Sequence, residues 1–147
     1  MSRVIYSFLL ILVMSVTISA HCQIPCGIYD DENQFSDLFQ HVETIRKSMT
    51  KIEDNQQNTN QQVRWVLNKE EHATLIQDVM NHYFLIQRIK PKSEDDSKKE
   101  LKHYNQLLIS AHKVIVLSMK AKQSTDLDVA TKLHDALLNF QTIYEDN

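Results

Sequence analysis

Residues 21–29 read HCQIPCGIY, and into that short segment fall both cysteines of the chain, its only glycine and one of its two prolines. A cut after Ala20 would make His21 the first residue and set a free α-amine and an imidazole beside the thiols of Cys22 and Cys26. Soft thiolates suit Cu(I), zinc and iron–sulfur centres, while square-planar nitrogen donors are typical of Ni(II) or Cu(II). The His21 amine, the deprotonated Cys22 amide nitrogen and both thiolates can share one plane around an ion, because consecutive chelate rings enforce planarity. The His21 imidazole can reach an axial position from the same residue. Donors this electron-rich bring a Ni(III)/Ni(II) couple within biological range. Gln23 and Ile24 let the chain turn back, and Pro25 fixes a backbone angle on the return. Gly27 permits a conformation closed to other residues, and Tyr29 places a phenol near the open face of such a metal. Two other readings of the cysteines stay open at this point: a small Cys22–Cys26 disulfide loop, or a zinc site.

The preceding stretch has the form of a secretory leader. Arg3 supplies the positive start, Phe8 to Val16 the apolar core, and Ile18-Ser19-Ala20 a cleavage-site pattern. Val4 to Ala20 is nearly long enough to span a bilayer as an uncleaved anchor. The Ser and Thr near its end and the lack of a basic stop-transfer flank favour cleavage. The expected organisation is a leader over 1–20, a metal-binding hook over 21–29 and one helical domain over 30–147. Export to a periplasmic or extracellular space follows from the leader. Exported cysteines pair by default, but a loop as small as Cys22–Cys26 gains little from cross-linking.

The elements that must position the hook read as four amphipathic helices. The first is expected over about Glu32–Asn55, with Phe35, Leu38, Val42, Ile45, Met49 and Ile52 at three- and four-residue steps. Asp31 and Gln34 resemble a capping box at its start. The second is expected over about Gln61–Ile89, with Val63, Val66, Ala73, Ile76, Met80, Tyr83 and Phe84 inward, ended by Pro91. Ser93 is the expected cap of a third, whose inner face carries Leu101, Tyr104, Leu108, Ala111, Ile115 and Leu117. A fourth is expected from Thr125, with Val129, Leu133, Leu137, Phe140 and Tyr144 inward. No stretch alternates with period two, so the fold class is all-α, an up-and-down four-helix bundle with an N-terminal metal-binding hook.

Several function classes fall away. A net charge of -3 with no polybasic run gives no footing for nucleic acid or an anionic membrane, and after leader cleavage no membrane segment is expected. With Gly27 the only glycine there is no phosphate-cradling loop, and GxSxG and HExxH are absent. His41, His82, His103, His112 and His134 are scattered along the helices without the Glu-x-x-His pairing of a di-iron bundle, and read as ordinary polar histidines. The chemistry therefore sits at the N-terminus. Its classes are a metal enzyme, an exported non-catalytic nickel- or copper-binding protein, and a secreted interaction module closed by a disulfide.

HCQIPCGIYDD resembles the nickel hook of the nickel superoxide dismutase family, whose pattern is HCxxPCGxY at an N-terminus made by proteolysis. RWVLNKEEHA (Arg64 to Ala73), HYFLIQRIK (His82 to Lys90) and ISAHKVIVLSMKAKQS (Ile109 to Ser124) are similar to marine bacterial members. The resemblance implies a homohexamer of four-helix bundles, with one nickel ion per subunit, converting superoxide to dioxygen and hydrogen peroxide by Ni(II)/Ni(III) cycling. It implies thiolate ligands from Cys22 and Cys26, the amine and axial imidazole of His21, and Tyr29 beside the metal. Some members hold that imidazole with a glutamate on the first helix and an arginine on the second; the corresponding regions here carry Asp37 and His72. Gln23 stands where the family often has an acidic residue. The hydrophobic leader stands where the family often has a short polar propeptide, so signal peptidase itself, or another processing protease, is expected to expose His21.

Overall fold

The computed structural model describes residues 25–146. The leader, His21 and Cys22 lie outside the described residues. Within them the elements are helices alone: α1 (Asp31–Asp54), α2 (Thr59–Asp78), which runs on as π-helical turns over Val79–Arg88, α3 (Lys98–Gln123) and α4 (Leu127–Glu145). The connections are short, which makes sequence neighbours antiparallel. α1 packs on α2 and α4, and α3 packs on the same two, closing the expected up-and-down bundle.

All six positions expected on the inner face of α1 are buried. The cap differs by one residue. Asp30, not Asp31, accepts the hydrogen bond from the Asn33 amide (3.1 Å), so the helix begins at Asp31. The Asp31 carboxylate turns instead toward α2 and α4.

In α2, Asn58 caps the start, and Ala73, Ile76, Met80, Tyr83 and Phe84 are buried as expected. Val63 and Val66 are not: they are 52% and 37% exposed. The inward stripe continues back from Ile76 through Ala73 to Lys69, which leaves the two valines on the outer side. Buried Lys69 donates through Nζ to the carbonyls of Lys122 (2.6 Å) and Ser124 (3.0 Å). It thereby satisfies carbonyls that the end of α3 leaves without helical partners.

α3 starts later than expected. Ser97, not Ser93, is its cap, in a full capping box with Glu100. Ser93 closes a separate turn by donating its amide to Asp96 (2.6 Å). The buried stripe of α3 is Leu107, Ala111, Val114, Leu117 and Ala121, with Ser110 and Ser118. Leu101, Tyr104, Leu108 and Ile115 are half-buried at its edge. α4 begins at Leu127 rather than Thr125, because Asp126 takes the cap by accepting from the Asp128 amide (2.9 Å). At the hook end of the core Phe35, Phe84, Phe140 and Tyr144 form one aromatic cluster, ring centroids 4.9–5.9 Å apart.

Candidate functional site

The described part of the hook is Pro25-Cys26-Gly27-Ile28-Tyr29, and it leads directly into α1. Gly27 has φ +74°, and a Cβ built there would meet no atom within 4 Å. The backbone conformation, rather than crowding, therefore favours glycine at this position. The turn leaves Cys26 exposed. Pro25 borders a cleft of about 380 Å³ shared with Gln34 of α1 and with Asp78, Val79, His82 and Tyr83 of α2. Among the described residues no group of three or more His, Cys, Asp or Glu is placed to hold a metal ion.

Behind the hook the π-helical turns present one continuous set of partners. Wider i→i+5 bonding stacks residues four and five apart, and such turns are frequent at functional sites. Tyr83, Gln87 and Arg88 accordingly meet the chain where it enters α1. The Tyr29 hydroxyl donates to Gln87 Oε1 (3.4 Å), its ring stands edge-on to Tyr83 (5.8 Å, 87°), and the Arg88 guanidinium carbon lies 4.6 Å from its centroid. The Asp30 amide donates to the Tyr83 hydroxyl (2.9 Å). That hydroxyl in turn donates to Asp31 Oδ1 (2.6 Å), and the Tyr144 hydroxyl donates to Asp31 Oδ2 (2.8 Å). Arg88 forks onto both Asp31 oxygens, Nε at 2.9 Å.

Titration follows from this network. Burial alone pushes the Asp31 carboxyl up, but hydrogen bonds from Arg88, Tyr83 and Tyr144 outweigh it and hold it below the usual carboxylate range. Burial first, then the hydrogen bond and charge of Asp31, raises the Tyr83 phenol well above its ordinary value and Tyr144 to about 12. The hydrogen bond to Asp31 raises Arg88 further still. Tyr83 is thus held as a phenol with its hydrogen engaged.

Asp37 and His72 meet around a third residue that the sequence pattern did not single out. His41 Nδ1 lies 2.9 Å from His72 Nδ1, the rings 4.9 Å apart across the α1–α2 seam. Asp37 sits one turn before His41 and acts on it by charge. Burial first, then the charge of His72, lowers the His41 pKa, against the opposing pull of Asp37. The available signal was the four-residue step from Asp37 to His41, which places both on one helix face. His134 packs its ring near Phe39 (5.3 Å), and His103 Nε2 is buried without a hydrogen-bond partner among the described residues. Of the sequence-predicted site residues, Cys26 and Tyr29 stand together at the hook end, and Asp37 and His72 gather at His41. His21 and Cys22 lie outside the described residues.

Among the described residues no helix is long and apolar enough to cross a membrane. No curated protein and no solved structure matches the chain. A family model described as nickel-containing superoxide dismutase matches residues 16–147.

Proposed function

The chain belongs to the nickel-containing superoxide dismutase family, and from that membership we propose that His21, Cys22 and Cys26 hold its nickel. It is an enzyme that converts superoxide to dioxygen and hydrogen peroxide with nickel as cofactor. The observation that carries the assignment of ligands is the Cys26-Gly27 turn. It exposes a thiol ahead of α1, and the described helices offer no competing metal cluster. Cys26 draws its fellow donors from the residues just before Pro25, where His21 and Cys22 stand. One soft thiolate from each cysteine, the Cys22 backbone nitrogen and the His21 amine and imidazole make a set suited to nickel.

When bound, nickel supplies a one-electron Ni(III)/Ni(II) couple that oxidises one superoxide and reduces the next. The residues do the rest. The thiolates of Cys22 and Cys26 lend the charge that brings this couple into range, and the His21 imidazole favours the oxidised state. Tyr29, fixed by Gln87 and Arg88, limits what reaches the hook and carries a phenolic hydrogen beside it. Gln23 leaves the segment without the acidic side chain common at that position, which removes a charge that would repel the anionic substrate. Asp37 and His72, gathered by His41, are the groups on the bundle surface that we assign to orient the imidazole.

Further readings concern processing and assembly. Cleavage after Ala20, by signal peptidase or another protease, frees the His21 amine and makes export and activation one event; the protein is then periplasmic or extracellular. Subunits associate as a homohexamer with one nickel each. Exposed Val63, Leu67 and Ile109 are apolar surface available for that purpose.

The decisive experiment compares superoxide disproportionation by nickel-loaded chain starting at His21 with the same chain carrying one extra N-terminal alanine. Fast turnover in the first alone establishes the free amine as a ligand. Equal rates in both remove the free His21 amine from the ligand set.

A further inference from the structure

We infer that Arg88 is a positioning residue for the metal-binding segment, clamping its exit into α1 and fixing the ring of Tyr29. The inference rests on the hook reading given above. Three successive residues leave the hook, and each is gripped by one short stretch of α2. Tyr29 is met by Gln87 and Arg88, Asp30 by Tyr83, and Asp31 by Tyr83 and Arg88. Tyr83 also reaches both ends, by its ring edge to Tyr29 and its hydroxyl to Asp31, but Arg88 alone brings a charge to both. Its planar guanidinium forks onto the Asp31 carboxylate while the same group lies 4.6 Å from the Tyr29 ring centre. Bidentate pairing and cation–ring contact from one group are open to arginine and not to lysine.

The clamp is not needed to start the helix. Asp30 caps α1 through Asn33 without it, and the apolar contacts of α1 begin at Phe35. What Arg88 adds acts on the hook side. By holding Asp31 in place, it keeps the acceptor that engages the Tyr83 hydrogen, and Tyr83 then receives the Asp30 amide through its oxygen. Of the two phenols, Tyr83 has its hydrogen committed at 2.6 Å, while Tyr29 makes only a 3.4 Å bond. Arg88 therefore decides which tyrosine can offer a hydrogen to the hook: Tyr29.

The test uses nickel-loaded protein starting at His21, as wild type, R88M, R88K and Y144F. Three quantities are read: hydrogen exchange of the Asp30 amide, nickel loss to a chelator, and kcat against KM. For R88M the expected results are Asp30 exchange and nickel loss each faster by about tenfold, with kcat lowered, while α1 amides beyond Phe35 keep their protection. R88K, which keeps a cation but not the fork, falls between. Y144F removes one hydrogen bond to Asp31 and an acceptor of Arg88 Nε (3.0 Å) but leaves the Arg88 fork in place, so Asp30 exchange and nickel loss are expected to rise by less than in R88K. If R88M melts the bundle, R88K against Y144F carries the comparison. Nickel-binding wild type with Asp30 exchange and nickel loss unchanged in R88M and R88K overturns the inference alone. A wild-type chain that takes up no nickel overturns the hook reading and this inference with it.

Discussion

Replacing Cys22 or Cys26 by Ser exchanges a thiolate for a hydroxyl that stays protonated at neutral pH and binds nickel poorly. Each variant is expected to lose nickel and activity together while the far-ultraviolet circular dichroism of the bundle is unchanged, since Cys26 is exposed and both cysteines precede the first helix in the sequence. Retained activity in either would refute the ligand assignment. His21→Gln is expected to keep nickel and lose most of its turnover, read by stopped-flow decay of superoxide. His41 supplies a prediction of a different kind. Folding lowers its pKa, through burial first and His72 second, so the folded state resists a proton that the unfolded chain accepts. Its contribution is therefore complete above about pH 6.5 and is lost as pH falls through that value toward the folded one. Thermal midpoints should drop on going from about pH 7.5 to about pH 5.5, and drop less in His41→Gln; parallel curves would show that His41 does not titrate as described. Asp31 acts in a lower window. Its carboxyl is depressed on folding, so its stabilisation is present above about pH 4 and disappears as pH falls further.

The third helix shows where sequence patterns are ambiguous. Ser93 with Asp96 and Ser97 with Glu100 both place an acid three residues after a serine. The second pair forms the capping box, and the first only a turn. Ser97→Ala is expected to lower stability by about 1 kcal/mol and Ser93→Ala by clearly less, measured by urea denaturation. The four helices were legible because their apolar residues repeat at helical steps; α1 follows that pattern at every expected position. α2 departs from it at Val63 and Val66, because a buried lysine bonded to two carbonyls occupies the inward stripe at position 69. The π-helical turns had no counterpart in the pattern, since apolar spacing does not report which carbonyl each amide selects. In the hook segment, residue types and their resemblance to a known pattern were enough to point to the family the chain belongs to, because such a motif is a local property of the chain. Arg88 and His41 were not readable in that way. Their roles depend on Asp31 and His72, which are distant in sequence and are brought near only by packing.

At the scale of the whole molecule, the bundle has more apolar surface than its own core uses: Val63 is 52% and Leu67 62% exposed on α2. If subunit contacts use this face, Leu67→Glu should leave the helical fold intact, because exposed substitutions shift stability by only about 0.5 kcal/mol. It should reduce the particle mass found by light scattering. An unchanged mass would place the interface elsewhere. The Asp31 network also ties the start of α1 to the end of α4. The carboxylate that Arg88 grips beside the hook takes one of its hydrogen bonds from Tyr144, 113 residues later and in the last turn of α4. During synthesis, that partner leaves the ribosome long after the cysteines do. The anchorage of the hook can therefore be completed only once synthesis has passed Tyr144, and a chain stopped short of that residue would carry its thiols on an unfinished support.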